Sequence, residues 1–588
     1  MVMNANLIKM KYLRIILTVC SISVAVVATA CCTKDNKHNT TPTPPQPGNE
    51  IVINGTTVSA DNNFYGIVKD TKGKGIAGVV VTEGYKCVKT DENGVYQFKG
   101  DAVHARNVYI SVPAEYKIPL DPATHYPRFY SENTIYGDKA NRNDFTLEAH
   151  SVQDQFTFVM VGDPQCKTDS DVQRYKNETI KDIQATINAG RTEGKYQNVY
   201  AMTLGDITFD NTIQWDPMVN TMKNVSISGN EYLPFFQTIG NHDHDAAEVT
   251  DYASVNNYVK RFGPTDYSFN IGKAHIVVMD NVIGTESKGG KTWEYDGGFS
   301  SLQYQWLKQD LELVDNKEEK LIIFCCHIPF RNGTTSGGAS VSTSKYYSAV
   351  LTLLQKFKEA HLMIGHTHYN QNFIHTSRKA KAGMPLYEHI HGAACGAWWS
   401  CNSNVTGGPN GYTIYEIDGS SIKNWVMKGT NHPFDYQMRV YDGNQLFSGT
   451  AGYNLYWYKT SQKAGAGSFN VLGNTVFKNC FVAEVFDDDV LYWTLELYQN
   501  GTKVGTFERV ADGHSCNVAV SSFYFNEKGK NTVTWTNKTA SHYWYCAAPS
   551  GDPSKEKNWE VVATQKIPSS GQVNVYKRAD LTTDFSEF

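Results

Sequence analysis

At 588 residues, the chain is too long for one hydrophobic core and reads as about three to four domains. Its net charge of -5 provides no basic stripe, so no nucleic-acid partner is expected and a nuclease role is disfavoured. A hydrophobic content of 41%, with 35 tyrosines, excludes a disordered chain and leans toward β-rich domains.

Lys9, Lys11 and Arg14 precede an apolar run from Ile15 to Val27, and Ala28-Thr29-Ala30 leads into Cys31. Residues 1–30 therefore read as a secretory signal with an apolar run too short for a membrane span. A cysteine directly after small residues resembles a bacterial lipobox. That resemblance implies cleavage before Cys31, lipidation of its thiol, and a membrane partner through this anchor, with the protein periplasmic or at the cell surface. The alternative is a plain secreted protein with an accidental cysteine. Residues 31–60, rich in Thr, Pro and Asn, read as the tether.

Residues 61–150 form a small β domain. Gly66-Ile67-Val68, Gly78-Val79-Val80-Val81 and Gly94 to Phe98 are short strands between turn residues, and Thr90 to Tyr96 resembles a carboxypeptidase-regulatory-like sandwich. No catalytic cluster lies here, so a spacer or adhesive role is expected.

Residues 151–391 change pattern. Phe156 to Val161 is a continuous apolar run, as in a strand buried on both faces. Asp171 to Ala189 is predicted helical, its apolar residues recurring at three- and four-residue steps except for one step of five, Tyr175 to Ile180. Further strands are predicted at Asn198 to Leu204, Leu233 to Ile239, His275 to Met279, Leu321 to Cys326 and Leu362 to Ile364, with helices at Ser301 to Leu313 and Lys345 to Phe357. Alternation of this kind implies a layered α/β domain. Residues 392–588 are assigned to a C-terminal β domain, whose separate part starts at Gly429. The fold class is multidomain α+β: a central α/β layered domain flanked by two β-sandwich-like domains. Cys325-Cys326 reads as a pair of buried free thiols, while Cys395 with Cys401, and pairs among Cys480, Cys516 and Cys546, are open as disulfides.

The chemistry sits at strand ends. Val161 runs into Gly162-Asp163-Pro164-Gln165, Leu204 into Gly205-Asp206, Ile239 into Gly240-Asn241-His242-Asp243, Cys326 into His327, and Ile364 into Gly365-His366-Thr367-His368. A lone strand-end Asp is usually a turn or cap residue. Five such ends in one domain point to a shared metal site, because ligands of open α/β sheets gather beyond the carboxyl ends of strands.

This set resembles the calcineurin-like metallophosphoesterase superfamily over about Phe156 to His391, in the arrangement of exported Bacteroidetes members with an N-terminal sandwich and a C-terminal β domain. The resemblance implies a four-layer αββα sandwich and two divalent ions (Mn, Fe or Zn). Asp163, Gln165, Asp206 and His368 would hold the first ion, and Asp206, Asn241, His327 and His366 the second, with Asp206 shared. A bridging hydroxide would attack phosphorus, and His242, its ring oriented by Asp243, would protonate the leaving group. Gln165 stands where the family usually has His, which tilts the first site toward Mn, Fe or Mg. Arg331, ahead of a Gly/Ser/Thr-rich loop, is a candidate phosphate contact or a plain loop residue. Trp398 and Trp399 are candidates for stacking on a substrate ring or for packing between domains. The expected activity is hydrolysis of phosphate mono- or diesters on a phosphorylated small-molecule or glycan substrate. The competing reading is a surface ligand-binding lipoprotein that uses the same fold as a scaffold.

Overall fold

Two sheets face each other at the centre of the protein. In the first, Val199–Leu204 lies in parallel between Phe235–Thr238 and Gln155–Val161. The other edge of Gln155–Val161 takes an antiparallel partner, Gly411–Asp418, followed by Ser421–Gly429. The second sheet runs Tyr267–Ile271, Ala274–Val278, Leu321–Cys325, Glu359–Ile364, Pro385–Ile390 and Gln371–Lys379, its four middle strands parallel. The computed structural model describes residues 50–210, 212–228, 231–248, 250–285, 294–331, 344–404, 406–448, 454–456, 477–510, 515–516, 539–540 and 542–584. The signal, Cys31, the first part of the tether (31–49) and most of the loop after Arg331 lie outside these residues.

Side-chain parity explains the layers. Phe158 and Met160 enter the core between the sheets, whereas Val159 and Val161 enter the layer beneath the helices, as alternation along a strand requires. Phe236 of the first sheet stacks on Phe269 of the second, with centroids 4.1 Å apart. The outer face of the first sheet is covered by Val172, Tyr175, Ile183, Ile187, Trp215 and Met218. Helices Ser301–Glu312 and Tyr347–Leu354 cover the second through Trp306, Leu307, Val350 and Leu351. The result is an αββα sandwich.

The helix expected over 171–189 is interrupted. α-Helix Asp169–Arg174, capped by Thr168, passes into a π-helical stretch at Tyr175–Ile180 and then α-helix Lys181–Thr192. The wider π turn falls on the five-residue apolar step and keeps both Tyr175 and Ile180 buried. The strand expected from Leu233 begins only at Phe235, since Pro234 has no N–H to give the ladder.

The N-terminal region forms three small sheets, the hairpin Ile51–Ile53/Thr56–Val58 within the expected tether, which packs on Tyr65, Ile67 and Val95, and sheets built on Phe64–Asp70 and on Val80–Thr82. It docks through apolar packing, with Phe129 against Tyr267 (centroids 4.7 Å apart), and through polar contacts: Tyr109 Oη donates to Asp266 O (2.7 Å), Ser268 Oγ to Ser111 Oγ (2.9 Å), and Lys89 pairs with Asp315 (2.7 Å). Two four-stranded sheets, Met438–Asp442/Cys480–Val485/Tyr543–Ala547/Glu508–Arg509 and Thr502–Thr506/Trp493–Gln499/Trp559–Lys566/Val573–Arg578, pack around Trp493, Trp559 and Phe481 as the C-terminal sandwich. Cys325, Cys326, Cys395 and Cys546 are buried free thiols, so no bridge joins Cys395 to Cys401.

Strand pairing of the central sandwich reaches past the expected boundary at 391. Residues 411–429 supply two strands of the first sheet, so the central sandwich ends at Gly429; their antiparallel hairpin resembles the flanking β domain in sequence alone. A fragment of residues 50–429 should therefore melt cooperatively by circular dichroism, whereas residues 50–391, with the edge of Gln155–Val161 stripped, should aggregate or melt without a transition.

Candidate metal centre

Each candidate ligand sits where a strand of one of the two sheets breaks into a turn. Asp163, Gln165, Asp206, His366 and His368 all hold positive φ, between 38° and 73°. Backbone of this kind is sparsely populated and persists only where its surroundings enforce it, as at functional sites. Gly240 shows how tight the approach is: a Cβ there would lie 2.2 Å from Asp206 N and 2.3 Å from Asp206 Oδ1.

Two donor groups result, Asp206 with His327 and His366, and Asp163 with Asp206 and His368; within each, the candidate ligand atoms lie within 4.8 Å of one another. Asp206 belongs to both. Asn241 Oδ1 joins the first group, 3.0 Å from His327 Nε2 and 2.9 Å from His366 Nδ1. Gln165 joins the second: its Nε2 donates to Asp206 Oδ2 (3.0 Å), while its buried Oε1 has no hydrogen-bond partner. His327 Nδ1 donates to Leu204 O at 2.7 Å, which leaves Nε2 to offer a lone pair. That lone pair faces Asn241 Oδ1, His366 Nδ1 (3.2 Å) and Asp206 Oδ1 (3.3 Å). Acceptors crowded against acceptors repel one another unless a cation lies between them, so this donor set fits a pair of divalent ions.

The electrostatics agree. Burial pushes Asp163 well above the usual carboxylate range, with Asp206 adding to the rise. Asp206 is held well below that range: burial opposes its charge, but His327 and His242 outweigh it. Burial also opposes the His327 imidazolium, yet Asp206 and Asp163 carry that ring up to about 9, so without an ion a proton on Nε2 stands where the cation would draw these groups together. His366 is driven well below its ordinary value by burial and by His327. Neighbouring groups pushed in opposite directions mark a site organised around charge.

His242 and Asp243 part company. The His242 side chain is 23% exposed, its Nδ1 lies 2.7 Å from Asp210 Oδ1, and its ring stacks on Phe209 with centroids 4.4 Å apart. Asp243 is not the residue that orients this ring. The 3-10 turn Asn241–Asp243 turns its carboxylate onto backbone, where it accepts from Ile207 N (3.0 Å), Thr208 N (2.9 Å) and Gly240 N (2.9 Å). It thereby ties the Asp206 turn to the Asn241 turn. Burial and the Asp206 charge push Asp243 up to about 6 against these three donors. The sequence reading missed Asp210; its only signal was an acidic residue four positions after Asp206.

The two tryptophans also separate. Trp399 is buried, donates from Nε1 to Pro164 O (3.0 Å) and packs under Arg174. Trp398 is 36% exposed, with its ring 4.8 Å from that of His368. Tyr295 approaches His366, with ring centroids 6.1 Å apart. The Arg331 guanidinium lies over Phe373 (5.0 Å), on the strand that leaves the His366–His368 loop; among the described residues no hydrogen bond joins it to the cluster.

Comparisons with known proteins follow the same outline. Residues 156–370 match the family model described as calcineurin-like phosphoesterase, residues 62–150 the N terminal of calcineurin-like phosphoesterase, and residues 388–569 its C terminal. Probable purple acid phosphatase 20 of Arabidopsis thaliana is 24% identical over 200 residues, 32% of this chain and 43% of that protein. A purple acid phosphatase of Glycine max is 26% identical over 195 residues, 30% of this chain and 35% of that protein. The chain thus spans less than half the length of these relatives. Among solved structures, purple acid phosphatase PPD1 from Lupinus luteus seeds aligns at 15% identity and a TM-score of 0.31, over 47% of this chain and 51% of that one.

Asp206→Asn removes the one carboxylate common to both groups. Elemental analysis after Mn(II) loading should find both ions lost, and Gly240→Ala, which crowds Asp206, should reduce the bound metal without abolishing it.

Proposed function

We propose that this chain, which carries a calcineurin-like phosphoesterase domain between that family's N- and C-terminal domains, is a metal-dependent phosphoric ester hydrolase. The observation that carries the proposal is the pair of buried donor groups joined through Asp206. Asp163, Gln165, Asp206 and His368 would hold one divalent ion, and Asp206, Asn241, His327 and His366 the other. When bound, such ions polarise phosphoryl oxygens and lower the pKa of water toward neutrality.

The chain's own residues supply the rest. Asp210 Oδ1 accepts from His242 Nδ1, which holds the ring by one nitrogen and leaves Nε2 to pass a proton to the departing ester oxygen. Phe209 fixes the ring plane by stacking. The His242 N–H donates to Asp206 Oδ1 (2.9 Å), so the backbone that positions the acid also positions the shared carboxylate. Trp398 and Tyr295, each against a candidate ligand histidine, flank the centre. The substrate is a phosphorylated small molecule or glycan fragment.

Kinetics with p-nitrophenyl phosphate and bis-p-nitrophenyl phosphate test this on the Mn(II)-loaded protein. His242→Ala should lower kcat by about two to four orders of magnitude. Asp210→Asn should lower it by about tenfold to a hundredfold with metal content unchanged. No turnover of either ester by wild type would favour the ligand-binding alternative.

We also propose export and lipid anchoring at Cys31, supported by the basic, apolar and small-residue succession ahead of it. In a lipoprotein-processing bacterium, Cys31→Ser should move the protein from the membrane pellet to the soluble fraction; retention in the pellet would sink the anchor.

A further inference from the structure

We propose that the C-terminal β domain splints the loop that bears His366 and His368, with His542 as the strut; the inference rests on the metal reading of that loop. The loop leaves strand Glu359–Ile364 and enters Gln371–Lys379 at Asn370. His366 and His368 hold φ of 73° and 65°, so the backbone between them needs external restraint. One side is restrained by the site itself: His366 N donates to both oxygens of Asp163 at 3.0 Å.

The other side is restrained by a domain that contributes no candidate ligand. His542 Nε2 lies 2.6 Å from Asn370 O, two residues beyond His368, and His542 Nδ1 lies 2.7 Å from Asp488 Oδ1. A carbonyl and a carboxylate only accept, so the ring donates through both nitrogens and is an imidazolium. Burial opposes that charge and Asp488 restores it. Asp488 is fixed in turn by Arg509 Nε and Trp544 Nε1, both at 2.7 Å. Its neighbours reach the same strands: Asp487 Oδ1 accepts from Asn372 Nδ2 (2.8 Å) and Asp489 Oδ2 from Tyr387 Oη (2.6 Å). Asp487, Asp488, Asp489 and His542 are all buried.

Three successive buried aspartates are a costly way to glue two domains, because a buried ion pair adds little over an apolar contact of the same shape. What such a network does supply is position. The nitrogen–carbonyl contact at Asn370 sets where the outgoing strand begins, and with it the reach of His368 toward Asp163, now 3.7 Å from His368 Nε2.

The test uses the full chain. Wild type, His542→Ala and His542→Gln are titrated with Mn(II) by equilibrium dialysis, and each metal-free protein is melted by calorimetry. Affinity should fall by about tenfold to a hundredfold in His542→Ala while the metal-free melting temperature stays near wild type. His542→Gln, whose amide can donate to Asn370 O, should recover much of the loss. Wild-type affinity in His542→Ala overturns the splint, as does a loss fully mirrored in metal-free melting. Failure of wild type itself to bind Mn(II) overturns the underlying metal reading instead. Should His542→Ala not fold, nitrogen-15 NMR of wild type decides: both His542 ring nitrogens protonated at neutral pH is expected, and a neutral ring overturns the strut.

Discussion

Two carboxylates buried side by side govern this structure. Asp163 and Asp206 are 0% and 1% exposed, and an unpaired charge at such depth costs several kcal/mol even after relaxation. Everything nearby answers that cost. Backbone N–H groups of His366 and His242 point at the two carboxylates, His327 is wedged beside them, and the acceptor atoms converge as a cation requires. The left-handed turns at Asp163, Asp206 and His366 would be unfavourable alone. They persist because two packed sheets leave these residues no other place to stand.

A third carboxylate, Asp243, shows how the turns are kept together. It takes three backbone N–H groups from two separate strand ends, so the Asp206 and Asn241 turns move as one piece. His242 is thereby freed from its chain neighbour and held by Asp210 from the adjoining loop. His242 and the carboxylate common to both donor groups are thus positioned by the same pair of turns, a link that the proximity of His242 and Asp243 in sequence does not provide.

The legibility of these features follows from how local each one is. Gly-Asp, Gly-Asn-His-Asp and Gly-His-x-His are contiguous, and each follows an apolar run, so the strand ends stood out without knowledge of the sheet order. Asp210 was hidden because its partner is 32 residues away and nothing in a Thr-Phe-Asp loop points to a histidine. Asp243 was misread for the opposite reason, since contiguity suggested a contact that the 3-10 turn forbids. The five-residue step from Tyr175 to Ile180 did register in the apolar spacing, but a π turn is rare enough that spacing alone gave no cause to invoke one. Trp398 and Trp399 are adjacent and chemically identical; only the fold could send one toward His368 and the other under Arg174.

The hairpin at 411–429 has a consequence for the centre beyond the domain boundary. Gln155–Val161 delivers Asp163 and Gln165, and it lies between Val199–Leu204, which delivers Asp206, and Gly411–Asp418. Its end is pinned as well: Ala394 N donates to Gly162 O at 2.8 Å, one residue before Asp163. Were 411–418 absent, the strand carrying two candidate ligands would be a sheet edge with half of its backbone groups unpaired, free to shift register or to recruit another chain. The five strand ends are therefore sufficient to mark the candidate ligands but not to hold them. Their alignment depends on backbone pairing supplied by residues past the last candidate ligand, so the candidate centre is complete only once the chain has returned to cover its own first strand.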